Sequence, residues 1–154
     1  MTPEMALLKG LPASKAGLYG LPCIGARYTG PGARDCERTQ AWCAVCGRPA
    51  ANCHHVVPLS VRRRFGLATP GGTVRLRSPL FALCGSGTRG CHGAFHAGRV
   101  RARWLWDSEE DERLWWSGEL VARYGPHSPE LYRHGRWEIA DSRTGRASVV
   151  REGV

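Results

Sequence analysis

The chain has 154 residues, of which 42% are hydrophobic and 23% charged, a balance that suits one soluble globular domain and excludes wholesale disorder. Its 22 Lys and Arg against 13 Asp and Glu give a net charge of +9, nearly all of it from arginine, whose planar guanidinium suits bidentate contact with phosphate. No run of about 18 apolar residues offers a membrane span, and the N-terminus lacks the basic-then-apolar order of a signal peptide, so a cytoplasmic protein without a membrane partner is expected.

Residues 1–40 carry turn-forming phrases such as Leu21-Pro22-Cys23 and Thr29-Gly30-Pro31-Gly32. They read as an irregular arm that wraps the core or orders on binding a partner. Residues 41–100 hold five of the seven cysteines and four of the six histidines, and the chemistry is expected there. Within them, 50–59 reads as a strand of a hairpin centred on Val56-Val57 and ended by Pro58. Gly71-Gly72 marks a turn, and 78–83 reads as a second short strand or an extended lead-in to Cys84. Residues 91–100 allow a helix of two to three turns, although Gly93 and Gly98 weaken it.

Residues 101–154 are expected to brace that core as part of the same domain. Ser108 stands three residues before Asp111, ahead of the acidic turn Glu109, Glu110, Asp111 and Glu112, which predicts a helix over 109–124 stopped by Gly125-Pro126. Trp137-Glu138-Ile139 and Ala147-Ser148-Val149-Val150 flank a turn at 142–145 and predict a terminal hairpin. Trp104, Trp106, Trp115, Trp116 and Trp137 are expected mainly to pack in the core rather than stack on bases.

An odd number of cysteines that includes Cys43-Ala44-Val45-Cys46 fits metal binding in a reducing compartment better than a disulfide framework. Cys84 and Cys91 supply a second pair across 85–90, where glycines at 85, 87 and 90 would let the loop close. Four thiolates satisfy tetrahedral Zn²⁺ with no open position, as structural zinc requires. Cys23, Cys36 and Cys53 are expected to pack as small hydrophobes. Cys36 remains an alternative ligand, because its spacing to Cys43 repeats that of Cys84 to Cys91.

His54 and His55 are adjacent in an extended segment and so point to opposite sides, which gives them different roles. His92 and His96 are four apart, which on a helix sets both imidazoles on one face about 6 Å apart, suited to one ion. His127 and His134 have no such context and are expected at the surface.

Taken together, Cys43-x2-Cys46, His54-His55-Val56-Val57-Pro58, Leu83-Cys84 and Cys91-His92-x3-His96 resemble the HNH endonuclease family over about residues 41–100. The phrase Leu-Cys-Gly-Ser-Gly-Thr-Arg-Gly-Cys-His-Gly is similar to small phage and prophage members. The resemblance implies an α+β protein with a ββα-metal (His-Me finger) core and a structural zinc on Cys43, Cys46, Cys84 and Cys91. It implies His55 as general base and His54, His92 and His96 as ligands of a catalytic divalent ion, as in the all-histidine colicin-like branch. The family's middle Asn is missing before Leu83-Cys84; Asn52 is the only asparagine in the chain, and Ser78 is the nearest polar candidate.

The function so implied is metal-dependent hydrolysis of double-stranded DNA, leaving 5′ phosphate and 3′ hydroxyl ends. Three imidazoles favour Mn²⁺, Ni²⁺ or Zn²⁺, with Mg²⁺ open if one histidine is out of reach. Arg62, Arg63 and Arg64, with Arg75 and Arg77, are candidates for contact with backbone phosphates, weighed equally against a solvated basic loop. Two other readings stay open: a zinc module that binds DNA without cutting it, and a phage accessory nuclease that acts only with packaging proteins.

Overall fold

The computed structural model describes residues 17–25, 42–58 and 65–150, which form an α+β protein. Strand β1 (Asn52–His55) pairs antiparallel with β4 (Leu80–Leu83), in a register that sets His54 opposite Phe81 and His55 opposite Leu80. A hairpin of β2 (Phe65–Thr69) and β3 (Gly72–Leu76) is inserted between them. Helix α1 (Gly90–His96) follows β4. Strand β5 (Val100–Trp106) then pairs with β6 (Gly135–Asp141), and β6 with β7 (Arg146–Val150), in a second antiparallel sheet. Between β5 and β6 lie α2 (Glu109–Trp116), α3 (Glu119–Tyr124) and a 3-10 turn, Pro129–Arg133. No helix among the described residues is long and apolar enough to cross a membrane.

Local chemistry accounts for these elements. All four residues of β4, Leu-Phe-Ala-Leu, are buried, as expected of a short continuous apolar run covered on both sides. In β5 the exposed Arg101 and Arg103 alternate with the more buried Val100, Ala102 and Trp104, the period-two pattern of a half-buried strand. Ser108 caps α2 by accepting a hydrogen bond from the Asp111 N–H at 3.1 Å, and four acids occupy its first turn, where the helix dipole favours them.

Two helical expectations need correction. The helix predicted over 109–124 is two helices, because Gly118 takes a left-handed φ of 79° and lies so close to the Ala68 carbonyl that a Cβ would collide with it. The helix predicted over 91–100 ends at His96; Gly98, at φ 74°, turns the chain, and Val100 already belongs to β5.

The core is aromatic. Phe81, Trp115 and Trp137 are fully buried, and Phe81 meets Trp137 edge to face at 4.9 Å between centroids. Burying each such ring is worth roughly 4–6 kcal/mol at 25 cal/mol/Å². The described part of the arm, 17–25, joins this core through Tyr19, Leu21, Cys23 and Ile24. Its carbonyls are held from the C-terminal half: Leu21 accepts from His127 Nδ1 at 3.0 Å, Pro22 from Trp137 Nε1 at 2.8 Å, and Cys23 from the Tyr132 hydroxyl at 3.1 Å. Ile24 bridges to Phe81 on the edge of β4 away from β1.

His127 is therefore a buried residue and not a surface one, since it supplies the arm with a hydrogen bond. His134 is likewise half-buried, bonded to Asp111 through Nδ1 at 2.7 Å and to the Tyr124 hydroxyl through Nε2 at 3.1 Å. Trp104 and Trp106 are both half-buried, 5.4 Å apart.

Candidate metal centres

Two donor clusters form where β1, β4 and α1 meet. In the first, the sulfurs of Cys43, Cys46, Cys84 and Cys91 all lie within 4.8 Å of one another. The knuckle turns tightly: the Gly47 N–H donates to the Cys43 carbonyl at 3.0 Å, with Gly47 at φ 75°. The second pair is brought together by a closed loop in which Ser86 and Arg89 exchange backbone hydrogen bonds of 2.9 and 3.2 Å. Gly85 and Gly90 touch across its neck, with no room for a Cβ, whereas Gly87 faces open space. Two of the three loop glycines are thus required by the closure. Asn52 adds a tie that sequence reading missed, its side-chain N–H donating to the Gly85 carbonyl.

The sulfur geometry fits a metal ion. A Zn–S bond of about 2.3 Å in a tetrahedron places sulfurs about 3.8 Å apart, and Cys46 Sγ stands 3.6 Å from Cys84 Sγ. Burial raises the Cys43 thiol pKa, but backbone N–H groups of Cys46, Cys84 and Val45 outweigh it and bring it down to about 7. Burial and the crowding of the other thiols push Cys91 up, so four thiolates at this spacing need a cation to offset their repulsion. The four cysteines could hold a structural metal ion.

Cys36 lies outside the described residues. Cys23 is buried as expected, with its thiol pushed up to about 12 by burial despite the Leu80 N–H bonded to its sulfur. Cys53 packs beside Leu80 and Ala82, yet it is disulfide-bonded rather than a plain packing thiol, a pairing that spacing alone does not reveal.

In the second cluster, ligand atoms of His54, His92 and His96 also lie within 4.8 Å of one another. Strand β1 supplies the first, and one face of α1 the other two, with His92 Nε2 and His96 Nε2 at 3.1 Å. Two nitrogens on a tetrahedral ion with bonds near 2.0 Å stand about 3.3 Å apart, so this set fits a cation as well. His54 is buried against the Phe95 ring at 5.0 Å. Burial, followed by the charges of His92, His96 and His55, lowers its pKa to about 4. Burial, then His96, lowers that of His92. Both rings are thereby held neutral, the form that ligates metal. His92 Nδ1 is buried without a hydrogen-bond partner among the described residues.

His55 stands beside this cluster but outside it. It lines the same open cavity of about 670 Å³ as the three histidines, and burial lowers its pKa. Behind it, the Ser78 hydroxyl accepts from the Val57 N–H at 2.7 Å, and the Pro79 carbonyl accepts from the Val56 N–H at 3.1 Å. The turn after the histidine pair is thus held to the segment leading into β4.

Of the arginines singled out from sequence, Arg62, Arg63 and Arg64 lie outside the described residues. Arg75 and Arg77 are exposed and do not line the histidine cavity; Arg101 does. Comparisons of the chain with family models, curated proteins and solved structures return no match.

Proposed function

We propose that the chain is an HNH-type endonuclease that hydrolyses phosphodiester bonds of double-stranded DNA, with a zinc ion on the four cysteines and a second divalent ion on His54, His92 and His96. The observation that carries the reading is the meeting of three imidazoles from β1 and α1 in one open cavity that His55 also lines. The pairing of β1 with β4, followed directly by α1, supports a ββα-metal core.

Hydrolysis needs an activated water, and His55, kept neutral by partial burial, can accept its proton at physiological pH. A divalent ion on the three histidines supplies charge that stabilises the scissile phosphate and the leaving 3′ oxygen. Arg101, at the cavity wall, is placed to bind a non-bridging phosphate oxygen. Ser78, through Val57, takes over the positioning that the family's middle Asn would perform.

Incubating the protein with plasmid under a panel of divalent ions tests this. Nicking or linearisation that disappears with chelator, and that His55→Ala removes while zinc content and DNA binding persist, is the expected result. Binding by the wild type without cleavage under any ion would leave a zinc DNA-binding module instead.

A further inference from the structure

A second cavity, of about 660 Å³, lies across α1 from the histidines. His92, Phe95 and His96 face the first cavity, whereas Cys91, Gly93 and Ala94 face the second. At 100° per residue these sets fall on opposite sides of the helix. Three arginines from separate parts of the chain line the second cavity: Arg48 after the knuckle, Arg99 before β5, and Arg143 in the β6–β7 turn, with Thr88 beside them.

Several other surface arginines are matched by acids. Arg103, Arg113, Arg133 and Arg136 are each paired with a carboxylate at 2.6–3.1 Å. By contrast, Arg48 and Arg143 have no acidic partner for their guanidinium groups among the described residues. Among the described residues Arg99 Nε is buried without a hydrogen bond, and its ion pair with Asp141 is a long 3.8 Å. Asp141 also accepts from the Arg143 backbone N–H at 2.9 Å; Cys46, Cys84 and Cys91 of the thiolate cluster line the same cavity, so the three guanidiniums face one carboxylate and the cysteines of the proposed metal site.

We propose that this cavity binds a backbone phosphate of the DNA whose scissile phosphate occupies the histidine cavity, an inference that rests on the proposed nuclease reading. Forked guanidiniums match phosphate oxygens bidentately, and three of them converge on this cavity. A helix is about 10–12 Å across, so α1 sits between the two phosphates as a spacer.

The test is the full-length, zinc-loaded protein carrying Arg48→Gln with Arg143→Gln, neither residue being in the histidine centre or the cysteine set. Binding of a fluorescently labelled short duplex is followed by anisotropy across a salt series, without added divalent ion. The expected result is binding weakened about tenfold at low salt, with the slope of log K against log salt flatter by about 1, the loss of one phosphate contact. Arg48→Lys with Arg143→Lys should restore much of both. An unchanged slope overturns the proposal. So does a loss of bound zinc and melting temperature with the slope unchanged, which would mean that the arginines only neutralise the thiolate cluster. Failure of the wild type to bind the duplex also overturns it. Plasmid cleavage is scored separately: the expected slope change in a protein that cuts nothing sinks the nuclease reading alone, and cleavage with an unchanged slope sinks the phosphate site alone.

Discussion

The Ser78 hydroxyl accepts a hydrogen bond from the Val57 N–H at 2.7 Å, and Val57 is two residues beyond His55, so a side chain at the entrance to β4 holds the turn that carries the proposed base. Ser78→Ala leaves that partly buried N–H unpaired, a cost of about 1–2 kcal/mol. The expected outcome is plasmid cleavage slowed about tenfold with both metal sites retained. Single-turnover rates and metal analysis check it; an unchanged rate would show that the turn holds its place without Ser78.

Cys43→Ser or Cys91→Ser removes one of four thiolates from a cluster whose sulfurs lie within 4.8 Å of one another. Because metal binding to such a set contributes directly to folding, bound zinc should fall and the melting temperature should drop by roughly 10 °C or more. Calorimetry together with elemental analysis measures both. Unchanged values for both would remove these cysteines from the ligand set.

His92→Ala and His96→Ala bear on the other cluster. Each should abolish a labile transition-metal site and cleavage together, yet leave the cysteine-bound ion, since the two donor sets share no residue. Metal stoichiometry before and after mild chelation gives the answer. Full labile binding in either variant would require a different ligand set.

The donor residues were legible in the sequence because ligand chemistry is written in residue type and spacing: a two-residue gap makes a knuckle, and a four-residue gap on a helix aligns two imidazoles. The terminal hairpin was legible for the same local reason, whereas the strand expected around Val56-Val57 covers only Asn52–His55 and its pairing with β4 crosses an inserted hairpin. What escaped was set by contacts distant in sequence. The break at Gly118 depends on the backbone of Ala68, the burial of His127 on the Leu21 carbonyl 106 positions away, and the tie of Asn52 on Gly85. Arg101 was a different case. Its alternation with Val100 and Ala102 is a local pattern, but its place at the wall of the histidine cavity is set by the fold.

Gly118 yields a stability prediction. Its φ of 79° is left-handed, and a Cβ would collide with the Ala68 carbonyl, so Gly118→Ala combines backbone strain with a clash against a rigid strand. A loss of about 2 kcal/mol or more is expected, read as a lower denaturant midpoint with an unchanged slope. A neutral substitution would show that α2 and α3 are not held apart by this contact.

His127 supplies the pH dependence. Burial lowers its pKa from 6.5 to about 4, against the opposing effect of the Leu21 carbonyl and with a further lowering from the charge of Arg77. The native state thus keeps the ring neutral where the unfolded chain protonates it. Above about pH 6.5 the ring is neutral in both states and contributes no slope. As pH falls from 6.5 to about 4 the unfolded state alone gains the proton, so stability declines, by at most about 3 kcal/mol at 1.36 kcal/mol per pKa unit, and levels off below about 4. His127→Asn removes the titration, keeps an N–H donor for the Leu21 carbonyl, and tolerates the φ of 60° at this position, which asparagine adopts more readily than most residues. Other groups, including the thiolates, also titrate in acid, so the readout is the difference between the two proteins in denaturant-measured stability across that window. The acid limb should be shallower in the variant by up to one proton. Parallel limbs would mean that His127 is protonated in the native state as readily as in the unfolded chain, and that its hydrogen bond to the arm does not depend on the neutral ring.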